Sequence, residues 1–255
     1  MSADIGSVLK EVEARVTPSE ELVARVMRVR DEIFRRLQPL AVDFRPELEG
    51  SVAKGTWLAT DPELDVFMIF PTSASEDSMV NRVMEVGKVV FDKWEVSYAE
   101  HPYVRGWIDD VPIDLVPCYG VNSPSEMRSA VDRTPFHTRF VNQSLSQEQK
   151  RDVRILKAFF KGIGVYGAEI RVRGFSGYAS EVLIYRFGSF LNLLKNAQKW
   201  KGKVNLGWNC EPDALGIPDP VDPSRNVTAS VSIRSLSTFV AASGFFLRRP
   251  SLRFF

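Results

Sequence analysis

A chain of 255 residues, 44% hydrophobic and 25% charged, has an ordinary globular composition and suffices for one large domain or two modest ones. Its longest apolar runs, such as Leu64–Phe70, are too short to span a bilayer, and its acidic N-terminus lacks the apolar stretch of a secretory signal. Cys118 and Cys210 alone make neither a disulfide framework nor a zinc set, so a reducing cytoplasm is expected.

The net charge of +1 is uninformative, but its distribution is not. Residues 1–150 hold 17 Lys and Arg against 25 Asp and Glu, whereas residues 151–255 hold 16 against 7. An acidic half that could bind metal ions is followed by a basic half that could bind phosphates, or both are simply solvated surfaces.

Thr17-Pro18-Ser19-Glu20 predicts a helix start, with Thr17 as cap, Pro18 in the first position and Glu20 completing a capping box. The apolar set Leu22, Val23, Val26, Met27, Ile33, Phe34 and Leu37 then recurs at helical spacing. An extended stretch is expected over residues 41–48, and a brief helical segment after Gly50-Ser51. Leu64–Phe70 reads as a buried strand ended by Pro71, and residues 78–91 as a helix. Strands are predicted over residues 94–99, 103–108 and 111–119, with Asp109-Asp110 forming a tight hairpin turn. Helices are predicted over residues 147–160, 177–187, 189–200 and 235–246, with a Pro- and Asp-rich loop over 212–223. The polar stretch Asn142-Gln143-Ser144 is read as a domain boundary.

Glu63 and Asp65 lie two apart at the start of a strand, so their side chains face one way while Leu64 and Val66 face the core. Paired hard oxygen ligands suit Mg²⁺. Gly50-Ser51 before a short helix offers a small turn and a helix N-terminus to a phosphate. Asp114 interrupts a later apolar strand, where a lone carboxylate needs a metal, a partner or water. If the two strands are neighbours, three acids converge, and two Mg²⁺ ions roughly 3.5–4 Å apart could bridge them.

The phrases GSVAKGTW, ELDVFMIFP, AEHPYVRG, IDLVPCY, AVDRTPFH, VYGAE, RVRGFSGY and DPVDPSRNV occur in this order from about residue 41 onward. This series resembles the nucleotidyltransferase superfamily that includes DNA polymerase β and, more narrowly, the archaeal-type (class I) CCA-adding enzymes. The resemblance implies that Glu63, Asp65 and Asp114 are catalytic, metal-binding carboxylates. It implies that Gly50, Ser51, Lys54, Thr134, His137, Lys157 and Tyr166 hold the incoming triphosphate and sugar, and that Arg225 reads the base. The family usually has arginine where this chain has Lys54, and lysine lacks the bidentate fork. Lys157 follows Arg154 by one turn of a predicted helix and either meets phosphate or faces water. Tyr166 and Phe175 also suit a core, Arg171 and Arg173 either line an RNA path or face water, and His101 is read as structural.

The expected fold is α+β: a polymerase-β-like palm with a mixed or antiparallel sheet over residues 1–142, then a mainly helical neck over 143–255. The implied activity is template-independent addition of C, C and A to the 3′ end of tRNA from CTP and ATP, with two Mg²⁺ ions. The expected partners are the tRNA acceptor end and the nucleotides, without a membrane; a homodimer is left open. The rivals are an oligoadenylate- or poly(A)-type nucleotidyltransferase with another primer and a catalytically silent RNA-binding module. The family continues into body and tail domains, whereas this chain ends at SLRFF. That ending is read as loss of the tail region, whether in a fragment, a minimal enzyme or a relative with another primer.

Overall fold

The computed structural model describes residues 4–98 and 102–255. It divides into one unit of Pro18–Asn142 and another of Met1–Thr17 with Gln143–Phe255. The first helix, α1 (Ile5–Val16), was not predicted. It buries Val8, Val12 and Val16 and packs on the helix Gln147–Gly162 of the second unit, although the sequence division put residues 1–142 together.

The presence of α1 also moves a predicted cap. Thr17 ends α1, its N–H donating to Glu13 O, and the cap of α2 (Glu20–Leu37) is Ser19, whose hydroxyl accepts from Leu22 N–H. Both residues are good capping types, and the unseen helix decided between them. α2 buries Val26, Ile33 and Leu37 of the predicted stripe and also Val29, while Val23 is exposed.

The first unit continues with β1 (Arg45–Glu49), α3 (Gly50–Lys54), β2 (Leu64–Phe70), α4 (Glu76–Val90), β3 (Trp94–Tyr98), β4 (Pro102–Ile108) and β5 (Val111–Tyr119). The strand expected over 94–99 is described to Tyr98; residue 99 and the reading of His101 as structural lie outside the described residues. Asp109 and Asp110 both take left-handed backbone angles (φ 49° and 58°), as a two-residue hairpin between β4 and β5 demands. The sheet is mixed, in the order β1-β2-β5-β4-β3, with β2 and β5 parallel and the other pairs antiparallel.

One face of the sheet carries the core. Leu64, Val66, Met68 and Phe70 of β2, Ile113 and Leu115 of β5 and Val104 of β4 pack with apolar residues of α2 and α4. Alternation therefore turns Asp65, Asp114 and Arg105 to the opposite face. The unit closes with α5 (Thr134–Ser144). The sequence does not predict that helix; Asn142-Gln143-Ser144 is its last turn, and the division between the two units falls within it, between Asn142 and Gln143. Its sequence TPFHTRFVNQS mixes polar and aromatic residues without a clean apolar stripe.

The second unit contains α6 (Gln147–Gly162), α7 (Gly177–Phe187), α8 (Phe190–Ala197), the short parallel strands β6 (Val204–Asn205) and β7 (Leu215–Gly216), and α9 (Ile233–Arg248). Its aromatic core gathers Phe159, Phe160, Phe175, Phe190, Phe239 and Phe246, with Phe160 and Phe175 stacked at 4.3 Å. Phe175 is thus a core residue, while Arg171 and Arg173 are exposed. No described helix is long and apolar enough to cross a membrane.

Candidate active site

The register of the sheet builds a charged row. Glu49 of β1 pairs with Asp65 of β2, Asp65 with Asp114 of β5, Asp114 with Arg105 of β4, and Arg105 with Glu95 of β3. Four acids and one base therefore lie at one level across five strands. Adjacent strands are about 4.8 Å apart, so Asp65 and Asp114 are immediate neighbours on one face. Glu63, the residue just before β2, reaches the same cluster: its carboxylate accepts from Arg105 Nη2.

Arg105 was not singled out in the sequence, although it lies in the phrase AEHPYVRG. Its guanidinium donates through Nε to Asp114 Oδ1 and through Nη2 to Asp114 Oδ2, both at 2.7 Å. This is the side-on fork that lysine cannot make. The hydrogen bonds that Arg105 donates to Asp114, and the nearby carboxylate charges, hold its guanidinium firmly protonated. Burial, then the charges of Asp114 and Asp65, push the Glu63 carboxyl above the usual range, against the pull of Arg105. A sequence signal existed, since a lone arginine alternates with Val104 and Gly106 in an otherwise apolar strand. Its partner, however, depends on register.

The three acids are hard oxygen donors facing one side of the sheet, the chemistry a divalent cation selects. Among the described residues no three His, Cys, Asp or Glu side chains stand preassembled at metal-binding spacing. The guanidinium of Arg105 instead engages Asp114 and Glu63. The donor set fits a metal, and the local positive charge is supplied by this chain.

Gly50 closes the site from α3. It has φ +69°, and any Cβ there would collide with the Asp65 carboxylate, so only glycine permits the approach. Ser51 follows in the first turn of α3. Gly55 ends that helix with a left-handed cap (φ 68°), and Lys54 just before it is buried. Asn142 Nδ2 donates to Ala53 O at 3.2 Å and so ties α5, which carries Thr134 and the buried His137, to α3.

Asp132 orients the entry to α5. It is fully buried and accepts from the N–H groups of Tyr119, Arg128 and Ser129, each at 2.9 Å. Such a carboxylate locks the chain between β5 and α5. It lies within the phrase AVDRTPFH, where no local pattern points to this role.

Glu49, at the β1 end of the row, is 4% exposed, and burial pushes its carboxyl up to about 7 from an ordinary value near 4.5. The folded state therefore holds the proton more tightly than the unfolded state does. This stabilisation is complete below about 4.5 and is lost as pH rises through 7, an effect of roughly 2–3 kcal/mol. Glu49→Gln should consequently gain on the wild type as pH rises. Thermal melts at pH 5 and pH 8 should show the difference in Tm between the two proteins widening at pH 8. A difference independent of pH would contradict the burial of an ionisable Glu49.

The remaining candidates lie in the second unit. Lys157 of α6 is 3% exposed, and its Nζ is 3.8 Å from Oε1 of the fully buried Glu181 on α7. Lys157 therefore does not lie on a solvated helix face. Tyr166 bridges to Phe175 and is half-buried, with Lys161 Nζ 5.5 Å from its ring centre. Gly177, at the start of α7, lies against both: a Cβ there would stand 3.3 Å from the Tyr166 hydroxyl and 3.7 Å from Lys157 Nζ. Arg225 lies just beyond the Pro- and Asp-rich loop predicted over 212–223, its Nη1 donating to Asp219 Oδ2 at 2.9 Å.

The mixed five-stranded sheet, with acids paired across β2 and β5, falls within the region that matches a nucleotidyltransferase domain. The model for the nucleotidyltransferase domain matches residues 27–137, and that for the tRNA nucleotidyltransferase second domain matches residues 151–255. Among solved structures, the Cid1 poly(U) polymerase has a TM-score of 0.72 at 14% identity, covering 96% of this chain and 94% of that one. A cytoplasmic RNA terminal U-transferase has 0.70 at 15%, covering 97% and 94%; at such identity these share the fold alone. The CCA-adding enzyme of Archaeoglobus fulgidus is 41% identical over 98% of this chain and 58% of its own length. That of Sulfurisphaera tokodaii is 41% identical over 98% and 61%.

The chain belongs with the archaeal CCA-adding enzymes, and it spans about 60% of the length of the curated relatives it matches. Nucleotidyltransferases of this family generally use divalent metal ions.

Proposed function

We propose that this chain catalyses template-independent addition of C, C and A to the 3′ end of tRNA from CTP and ATP, releasing pyrophosphate. The observation that carries the reading is the register pairing of Asp65 with Asp114 on parallel strands, with Glu63 drawn to the same cluster by Arg105. The 41% identity to enzymes named for this reaction supports it.

In this reading Glu63, Asp65 and Asp114 would hold two Mg²⁺ ions, which when bound favour ionisation of the attacking 3′-hydroxyl and neutralise the leaving pyrophosphate. Gly50 lets the Asp65 carboxylate approach α3, and Gly50 with Ser51, through its hydroxyl and backbone amide, holds the triphosphate. Lys54, Thr134, His137, Lys157 and Tyr166 bind phosphate and sugar. Arg225 reads the base. The residues of Pro18–Asn142 serve as the catalytic domain, and the helical unit binds nucleotide and RNA. The exposed Cys210 and buried Cys118, both free, suit a reducing cytoplasm. A homodimer would present two such sites.

The test is incorporation of labelled CTP and ATP into tRNAs ending before CCA, after C and after CC. Stepwise use of CTP and then ATP is expected. ATP addition to any RNA would indicate a poly(A)-type enzyme, and RNA binding without incorporation a silent module. Arg225→Ala should raise KM for CTP and ATP and admit UTP and GTP, read by competition between nucleotides; unchanged selectivity would place base reading elsewhere.

A further inference from the structure

Arg225 is fixed in its backbone. Asp219 N–H donates to Arg225 O, Arg225 N–H donates to Asp222 O, each at 2.9 Å, and Pro218 and Asn226 form an antiparallel bridge. The Asn226 side chain donates to Leu215 O and accepts from the N–H groups of Ile217 and Thr228, all at 3.0 Å. The chain is thus pinned on both sides of the arginine, from the end of the loop predicted over 212–223 onward.

The side chain is fixed as well. The Asp219 carboxylate is completely buried, whereas the Arg225 side chain is 36% exposed. Oδ2 of Asp219 accepts from Arg225 Nη1, and Oδ1 accepts from the Tyr178 hydroxyl and the Val221 N–H, all at 2.9 Å. Three donors, one of them charged, make a fully buried carboxylate tolerable. The contact to Arg225 is end-on, through one nitrogen, and a guanidinium has five N–H donors. The rest of the fork is left for an acceptor edge. Tyr178 lies in the first turn of α7, beside the Gly177 that rests against Tyr166 and Lys157.

We propose that Asp219 and Tyr178 are specificity-determining positioning residues. Asp219, steadied by Tyr178, sets the direction in which Arg225 offers its remaining donors. Cytosine and adenine share an unprotonated ring nitrogen at the centre of the pairing edge, whereas uracil and guanine carry an N–H there. A fixed guanidinium donor accepts the first pair and is opposed by the second; a guanidinium free to swing can avoid that opposition. This proposal rests on Arg225 reading the base.

The experiment compares Tyr178→Phe, Asp219→Asn and Arg225→Ala in the full chain. CTP competes with UTP for addition to an RNA ending before CCA, with steady-state constants measured for each nucleotide. Asp219→Asn should reduce the CTP-over-UTP preference on the order of tenfold, and Tyr178→Phe by about threefold. The change should fall on KM for CTP, with kcat within about twofold. A merely structural role would lower activity with every nucleotide alike and leave the ratio untouched. If Asp219→Asn does not fold, Tyr178→Phe, which removes one hydroxyl, decides alone. A wild-type ratio in folded Tyr178→Phe and, where it folds, Asp219→Asn, with a collapsed ratio in Arg225→Ala, overturns the positioning role only. A wild-type ratio in Arg225→Ala overturns base reading and the positioning role with it.

Discussion

Asp65→Ala should abolish nearly all nucleotide addition, by on the order of 10⁴-fold for CTP and ATP alike, while leaving the protein folded. Asp65 stands between Glu49 and Asp114 in the charged row, so removing it relieves repulsion and should not lower Tm. Asp114→Ala should be equally inactive for a second reason. It removes a proposed metal ligand and also strips Arg105 of the carboxylate that holds its fork at 2.7 Å. Groups acting as one unit are not additive, so the double variant should be little worse than Asp65→Ala alone. Single-turnover incorporation, with circular dichroism to verify folding, measures this. Near-normal turnover by folded Asp65→Ala would remove the metal-site assignment.

Arg105→Ala should lower the stability of the metal-free protein. It leaves Asp114, which is 9% exposed in its side chain, and Glu63 without their shared cation. Breaking a fully buried pair costs roughly 3–5 kcal/mol. Arg105 and Glu63 are 29% and 37% exposed, so solvent screening reduces the expected loss to about 2 kcal/mol, or roughly 4–8 °C in Tm. A divalent cation bound by the same acids replaces the missing charge. Saturating Mg²⁺ should therefore raise the Tm of the variant more than that of the wild type. Arg105→Lys should recover only part of the loss, because an ammonium lacks the fork. Melts in EDTA that coincide for wild type and Arg105→Ala would show that the guanidinium does not hold the acids.

Much of the fold was legible because the signals were local. Short apolar runs marked Leu64–Phe70 and Val111–Tyr119 as strands, and Asp109-Asp110 marked the hairpin turn between β4 and β5, from a few consecutive residues each. The two-residue period of a strand turned Glu63 and Asp65 one way. The series of phrases from GSVAKGTW to DPVDPSRNV pointed to the family, whose relatives cover nearly the whole of this chain.

What escaped was non-local or ambiguous. Thr17 and Ser19 are equally good caps, and only the helix before them decided which one served α2. The helix α5 has no apolar stripe and is held by tertiary contacts such as that of Asn142 with Ala53. Asp132 and Arg105 lay inside quoted phrases without a visible task, because their partners are strand and loop groups brought near by folding. The sequence by itself determined which residues carry charge, which face of each strand they take and which family they match, since side-chain type and a period of two are local properties. Only the tertiary structure decided that Asp65 meets Asp114, that Arg105 spans Asp114 and Glu63, and that a buried Asp219 holds Arg225. Strand register and loop closure depend on contacts between residues far apart in the chain, and no local pattern encodes them.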